Sequence, residues 1–232
     1  MLDDLLRLLV PAVCLACRGT VAVTRADPLC RSCRVALPWL TGRPRCARCG
    51  LPEAHAARSC PARAQAFAAA WAPLAYAGAV PALVNALKER GAVGLAPMMA
   101  AQIAATAPPG TWDAPMPVAL VPVPADPLRR RRRGVDHAAR LAAELAPRTG
   151  LPVARVLARA PVLQGARQAG RSRRQRLDAD VGVRADGGAV PAVAVLVDDV
   201  HTTGATLHAC AVALRASGAE AVRAVTYARA LT

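Results

Sequence analysis

The chain is poor in aromatic side chains, since three tryptophans, two tyrosines and one phenylalanine make up only 3% of its 232 residues. Single strands of nucleic acid are usually held by stacking bases on aromatic rings, so this scarcity argues against a stacking platform, although not against contacts with the phosphate backbone. Apolar residues still reach 54%. A real core is therefore possible, and alanine, valine and leucine must form most of it.

Long apolar runs are also missing. No run approaches the ~20 residues that a membrane-spanning helix requires. The first residues place leucines at helical spacing, but they include Asp3 and Asp4 where a secretory signal would carry basic residues. We therefore expect no membrane span and a cytoplasmic location.

Two nucleotide-binding motifs are absent as well. The sequence has no GxxxxGK[ST] and no GxGxxG before a helix, so a P-loop ATPase and a dinucleotide-binding fold are both poorly supported.

Lysine is almost absent, because Lys88 is the single lysine among 30 basic residues. Part of the excess of arginine over lysine reflects the overall composition of the chain. The arginines are nevertheless unevenly distributed along the sequence. Between Met116 and Asp180 there are 14 arginines and 5 acidic residues. Such a basic segment attracts phosphates, on a small molecule or on nucleic acid.

Cysteine is abundant only near the start, where seven of the eight cysteines precede Pro61. Three CxxC pairs in a chain without secretory features favour zinc over disulfides. All-thiolate sites are closed, so this segment is predicted to be structural and to need metal in order to fold. The expected metal ligands are Cys14, Cys17, Cys30, Cys33, Cys46, Cys49 and Cys60.

The grouping of these cysteines is open at the level of sequence. In chain order the first four make a complete site, and the last three begin a second site without an obvious fourth ligand. Arg63 stands where another CxxC would need cysteine, and His55 is a candidate for that ligand. An offset pairing is also possible, since both gaps between successive pairs hold 12 residues. Cys210 is expected in the core, away from metal.

The composition changes near Gln65, which predicts a zinc-ribbon domain with an N-terminal helix over residues 1–64 and a second domain over 65–232. In the second, strands alternate with helices, which predicts an α/β fold whose central parallel sheet has helices on both faces. The predicted strands are Trp71–Gly78 with its turn, Pro117–Pro124, Ala189–Asp199 and Ala221–Ala230. One predicted helix begins at Pro81, with Gly91 as its C-cap. Two others cover Ala96–Ala107 and Val135–Ala146, and a fourth runs from Gly204 to an end at Gly218. Val162–Leu177 is predicted to be a mobile loop that enters a short helix.

The stretch "VAVLVDDVHTTGAT", Val193 to Thr206, carries the chemistry. It reads as a buried strand that ends in Asp198 and Asp199, then a turn that opens a helix. Ligands of parallel sheets bind beyond the carboxyl ends of strands, and a helix N-terminus holds phosphate with its free N–H groups. Paired carboxylates suit the hydroxyls of a ribose, directly or through Mg²⁺. The stretch therefore predicts a ribose 5-phosphate site, with both aspartates at a solvent-facing strand end.

This stretch resembles the signature of type I phosphoribosyltransferases that binds phosphoribosyl pyrophosphate (PRPP). Over nearly its full length the chain is similar to the ComF family, through the cysteine pairs, "YAG…LVNALKERG", "PVP…RRRRRGVDHAARLA" and "QAGRSRRQRL". The resemblance implies a zinc-ribbon domain followed by a type I phosphoribosyltransferase fold that binds Mg-PRPP. The family is linked to uptake of transforming single-stranded DNA, and its reaction has no defined acceptor.

The resemblance also implies residue roles. Asp198, Asp199 and Lys88 would be catalytic, and Mg²⁺ would accompany PRPP. The family continues with "FNQ" where this chain has Val135, Asp136 and His137, which leaves any contact made there open. The residues implied to bind PRPP are Asp198, Asp199, Thr202, Thr203, Gly204, Ala205, Thr206, Arg131, Arg133, Arg173 and Arg176.

The sequence leaves two functions open. The first is a phosphoribosyltransferase, hence an enzyme, acting on an unidentified acceptor. The second is a non-catalytic accessory of DNA uptake that binds single-stranded DNA, contacts other DNA-uptake proteins and uses PRPP only as a ligand. In either case the DNA contacts would come from the arginines of residues 129–133 and 167–176, through backbone charge.

Overall fold

The computed structural model describes residues 13–19, 28–42, 44–52, 59–90, 94–126, 136–159 and 182–231. The predicted N-terminal helix, His55, the loop Val162–Leu177, and the arginines at 131, 133, 173 and 176 lie outside these ranges. The elements in chain order are α1 (Arg31–Val35), β1 (Ala69–Trp71), β2 (Leu74–Ala75), α2 (Val80–Arg90), α3 (Leu95–Thr106), β3 (Val118–Pro122), α4 (His137–Thr149), β4 (Leu157–Arg159), β5 (Val183–Ala185), β6 (Val193–His201), α5 (Ala205–Ala216) and β7 (Ala221–Arg229).

Within the described ranges the central sheet has five strands, and every pairing found there is parallel. The strand order is β1–β7–β6–β3, and β2 also pairs with β7. Strand β6 is therefore flanked on both sides, with Val195 between Leu120 of β3 and Arg223 of β7. This arrangement confirms the predicted parallel sheet, and it buries the strand that carries the aspartates.

The two faces of the sheet are covered by different helices. Because side chains alternate along a strand, Val195 and Val197 of β6 pack with α2, α3 and α4. Ala194 and Leu196 point to the opposite face and pack with α5. Burial on both faces explains why β6 reads as an unbroken apolar run without alternation.

The cysteine-rich segment packs along the edge of the sheet that β1 and β2 form. Ala75 N donates to Pro38 O at 2.9 Å, and Ala70 N donates to Ala47 O at 3.0 Å. Cys14 and Cys30 share the core of α2 to α4, whereas Cys49 and Cys60 share the core of α5. These contacts cover an edge that would otherwise leave strand donors and acceptors unpaired.

Two details depart from the sequence expectations. Helix α4 begins after Asp136, whose side chain accepts a hydrogen bond from Ala139 N, and it continues through Pro147 to end at Gly150 with φ 72°. The predicted end at Ala146 was wrong, because the helix includes Pro147 and ends only where Gly150 takes a left-handed conformation. The antiparallel pair β4–β5 was not predicted.

Among the helices in the described ranges, none combines the length and the apolar character needed to cross a bilayer.

Candidate functional site

The two aspartates lie near the carboxyl end of β6, which continues past them to His201. Their side chains are 15% and 5% exposed for Asp198 and Asp199 respectively. The expectation that both face solvent was wrong for Asp199, because β6 is an inner strand that extends two residues beyond the pair. Asp199 is thus a buried carboxylate, which is stable only with a compensating charge.

Lys88 supplies that charge. Its ammonium nitrogen lies 2.9 Å from Asp199 Oδ2, and its side chain is 26% exposed at the end of α2. His137, the first residue of α4, places Nε2 at 3.4 Å from Asp199 Oδ2 and 3.8 Å from Asp198 Oδ1. Three elements distant in sequence therefore bring a lysine and a histidine onto the carboxylate pair.

The electrostatic environment of Asp198 and Asp199 favours the binding of one proton to this pair of side chains. Burial, and then the charge of Asp199, raise the pKa of Asp198 to about 8. Two carboxylates this close rarely ionise together. Asp198 Oδ1 also accepts a hydrogen bond from Asp199 N at 2.9 Å. At neutral pH we therefore expect Asp198 to hold a proton while Lys88 neutralises Asp199.

The turn that follows comprises Thr202, Thr203, Gly204, Ala205 and Thr206, and we call it the TTGAT turn. Thr202 and Thr203 are exposed, and among the described residues no side chain caps the N-terminus of α5. Thr203 Oγ1 only accepts a long hydrogen bond, 3.4 Å, from Ala205 N. The first N–H groups of α5 thus form an electropositive turn suited to an anion.

Gly204 is required by two features of this turn. Its φ is 82°, in the left-handed region, and a Cβ atom there would lie 2.9 Å from His201 Nε2. His201 is itself buried, with Phe67 edge-on at 5.8 Å between ring centroids. Burial, and then the charge of Arg229, lower the pKa of His201 to about 3. His201 is therefore a neutral packing residue that shapes the turn.

Arg229, the last residue of β7, is hydrogen-bonded to the backbone at the start of the TTGAT turn. It is 3% exposed and donates hydrogen bonds to four carbonyl oxygens, with no carboxylate partner among them. Those of Cys49 and His201 each lie 2.9 Å away. The other two acceptors are the carbonyls of Thr202 and Ala230.

The segment after the last ribbon cysteine also contacts the turn. Gln65 Nε2 donates to Thr203 O at 3.4 Å, and Ala66 N donates to His208 Nδ1 at 3.0 Å. The segment that directly follows the cysteine-rich segment is therefore bonded to the TTGAT turn and to α5.

The cysteines form two clusters in chain order. In each, the sulfur atoms lie within 4.8 Å of one another. The Cys17 and Cys30 sulfurs are 3.9 Å apart, and so are those of Cys46 and Cys60. Tetrahedral zinc with bonds of about 2.3 Å separates its sulfurs by roughly 3.8 Å, so both sets fit zinc. The first cluster is Cys14, Cys17, Cys30 and Cys33, and the second cluster is Cys46, Cys49 and Cys60.

The structure also bears on the other expectations about the cysteines. The offset pairing is not what the structure shows, because each cluster joins neighbours in sequence. Cys210 is fully buried on α5 and belongs to neither cluster, as expected. In the described part of the chain the second cluster has three ligands, and His55 lies outside it.

Sequence reasoning brought together Asp198, Asp199, Lys88 and the TTGAT turn, but it omitted His137, His201, Gln65 and Arg229. The one signal for His137 was its place in the segment that departs from the family pattern. Nothing in the sequence marked Arg229, because its role depends on backbone carbonyls from two distant segments, at Cys49 and at His201 with Thr202.

The family model for the double zinc ribbon domain matches residues 5–63. The match spans both cysteine clusters and stops before β1, and it leaves the aspartates and the TTGAT turn outside. The search of curated proteins finds no match to the chain. A double zinc ribbon domain is therefore identified at the start of the chain, and its two cysteine clusters support structural zinc.

Proposed function

We propose that the site at the end of β6 binds Mg-PRPP and that the protein is a ComF-like phosphoribosyltransferase linked to the uptake of single-stranded DNA. The observation that carries the proposal is the convergence of Lys88 and His137 on the carboxylate pair, directly before an uncapped helix N-terminus. In this proposal residues 65–232 form the phosphoribosyltransferase fold, and residues 1–64 form the ribbons.

The two halves of the site suit the two ends of a ribose 5-phosphate. The N–H groups of the TTGAT turn and the hydroxyls of Thr202, Thr203 and Thr206 would hold the 5-phosphate. Asp199 would accept a hydrogen bond from one ribose hydroxyl. Asp198, protonated at neutral pH, can donate to the other hydroxyl oxygen, or it would release its proton to solvent when a cation binds.

The carboxylate pair also fits a hard cation. Ligand atoms of His137, Asp198 and Asp199 lie within 4.8 Å of one another. Mg²⁺ prefers oxygen ligands, so Asp198 and Asp199 would hold it and His137 would contact it weakly if at all. When bound, Mg²⁺ would supply charge neutralisation at the pyrophosphate. Lys88 already offsets one carboxylate charge, so the cation would share Asp199 with this ammonium group.

In the reaction the anomeric C–O bond to pyrophosphate breaks and a bond to the nucleophile forms at the same carbon. Positive charge develops on the ribose, and the neighbouring Asp199 carboxylate stabilises it. Binding the ribose through both its hydroxyls and its 5-phosphate would hold the anomeric carbon in position for the reaction. The arginines at 131, 133, 173 and 176, outside the described residues, would neutralise the departing pyrophosphate.

A non-catalytic role in DNA uptake is the second candidate. It is favoured by the net charge of +15 and by the first ribbon, where Arg31 and Arg34 are exposed near Trp39, itself 37% exposed. Backbone charge would then dominate the binding of single-stranded DNA, so affinity should fall steeply as salt rises.

Pyrophosphate release from Mg-PRPP, with a panel of purine and pyrimidine bases as acceptors, separates the two functions. We expect release with one acceptor, and Lys88→Gln should lower the rate at least about tenfold because Asp199 loses its partner. The matched control is Arg215→Gln, which removes one positive charge from an exposed position on α5. Tight PRPP binding without release for any acceptor would favour the accessory role.

A further inference from the structure

A cavity lies at the opposite end of the sheet from the aspartates. Its volume is about 400 Å³, within the usual range for small-molecule sites. It opens between β1, the second cysteine cluster and the loop from α3 to β3. Its lining residues include Gly42, Arg45, Ala47, Gly50, Ala69, Trp71, Pro109, Gly110, Thr111 and Arg223.

The cavity is separate from the candidate PRPP site. Ala69 of β1 is level with Arg223 of β7, whereas Asp198 is level with Thr226. Three residues along a strand correspond to about 10 Å, and β1 lies two strands away from β6. One ligand of ordinary size cannot reach both places.

Two buried donors in the wall lack acceptors. The guanidinium of Arg45 stacks on Trp71, 3.4 Å from the ring centroid, and donates one hydrogen bond to Ala72 O. Within the described residues, Arg45 Nη2 and Trp71 Nε1 are buried without a hydrogen-bond partner. A buried donor without an acceptor costs about 1–3 kcal/mol. The pair therefore leaves two hydrogen-bond donors in this wall available to an acceptor.

The charge of the cavity favours an anion. Arg223 lines it as a second cation and donates to the carbonyls of Thr111 at 3.2 Å and Asp113 at 2.9 Å. No acidic side chain is among the described lining residues, and the carboxylate nearest in sequence, Asp113, is exposed. Cys46 also lines the cavity, but zinc would offset the charge of its thiolate.

The remaining lining is small and apolar. Glycine, alanine and proline form most of it, and Gly50 is packed so closely that an added Cβ would lie 3.1 Å from Ala70 O. Walls of this kind accept a flat ring more readily than a branched or hydrated group. A guanidinium stacked on an indole also presents a planar surface.

We propose that this cavity is a binding site for a small aromatic carboxylate, whose carboxylate pairs with Arg45 and Trp71 and whose ring lies against the glycine and alanine wall. The inference is independent of PRPP binding. It adds a second small-molecule site, built jointly by the second cysteine cluster and the sheet.

Calorimetric titration of the full zinc-loaded chain with 2-naphthoate tests the proposal, and the neutral 2-naphthamide is its matched probe. We expect naphthoate to bind at least about tenfold more tightly than the amide, because a charged acceptor strengthens both hydrogen bonds. Arg45→Gln should lower naphthoate affinity at least about tenfold. The control Arg148→Gln removes an exposed arginine on α4 and should leave it unchanged.

Because Arg45 also bonds Ala72, its loss can disturb folding, so a second variant keeps the donors and fills the space. Ala69→Leu should abolish binding while thermal unfolding stays cooperative. Binding should also survive Asp198→Asn with Asp199→Asn, which removes the PRPP site. Equal affinity for acid and amide, or binding lost only in the aspartate variant, would overturn the proposal.

Discussion

Arg229 donates one hydrogen bond to the carbonyl oxygen of Cys49 and another to that of His201, each at 2.9 Å. Cys49 belongs to the second cysteine cluster, and His201 is the residue before the TTGAT turn. One buried guanidinium therefore joins the zinc ribbon to the turn proposed to hold phosphate. This contact gives the ribbon a part in shaping the site, besides covering the edge of the sheet.

Replacing Arg229 with glutamine should strongly destabilise the protein. The change removes the donor for four carbonyl oxygens, and each buried carbonyl left unpaired costs about 1–3 kcal/mol. We expect the free energy of unfolding to fall by more than about 3 kcal/mol in urea titrations. Arg215→Gln is the control, because exposed Arg215 donates only to Glu220 O at 3.3 Å. Equal losses for the two variants would contradict the role given to Arg229.

The two aspartates should respond oppositely to amidation at pH 7. Asp198 sits beside a second carboxylate with its pKa raised to about 8, so Asp198→Asn should stabilise the protein. Asp199→Asn should destabilise it, because Lys88 loses its partner at 2.9 Å. Denaturant titrations measure both effects.

The gain from Asp198→Asn should depend on pH with a defined sign. The carboxyl binds its proton below pH 3.8 when unfolded and below about 8 when folded. Between these values the folded protein holds the extra proton, so wild-type stability falls as pH rises. The advantage of Asp198→Asn should thus grow from about pH 5 to about pH 8 without Mg²⁺. An advantage that is constant with pH would show that Asp198 is already ionised.

Gly204→Ala should cost more stability than Gly150→Ala. Both glycines have positive φ, 82° and 72°, so alanine pays a similar backbone penalty of about 1–2 kcal/mol at each. Only at Gly204 does the added Cβ meet an atom within 3 Å, His201 Nε2. Thermal unfolding of the two variants measures the difference. Equal costs would mean that His201 moves freely and does not shape the turn.

Purified protein should contain two zinc ions per chain. Cys14→Ser and Cys60→Ser should each remove one, since their sulfurs belong to different clusters. Cys210→Ser, at a buried cysteine outside both clusters, should leave the content at two. Metal analysis by mass spectrometry checks all three. Loss of both ions in either cluster variant would contradict independent sites.

The central strands and the cysteine sites were predictable because their signals are local. The apolar run before Asp198 and the turn after it lie within one stretch, and the CxxC spacing presents two sulfurs to one metal. The burial of Asp199 was not predictable, because it follows from β6 lying between β3 and β7. His137 and Arg229 were missed for the same reason, since their partners come from elements far away in sequence. Short-range sequence patterns contain no information about contacts between residues so far apart in the chain.

The most direct test is the calorimetric titration of Mg-PRPP into wild type and the double variant Asp198→Asn with Asp199→Asn. Hydrogen bonds to charged groups contribute about 1.5–3 kcal/mol each, so the double variant should bind at least about tenfold more weakly. The control Glu144→Gln with Glu220→Gln makes two carboxyl-to-amide changes away from the site, on α4 and at the residue before β7, and it should bind as wild type does. Each protein is titrated at a temperature where its unfolding curve shows it fully folded. Unchanged affinity in the aspartate variant, or no binding by wild type, would contradict a PRPP site at the end of β6.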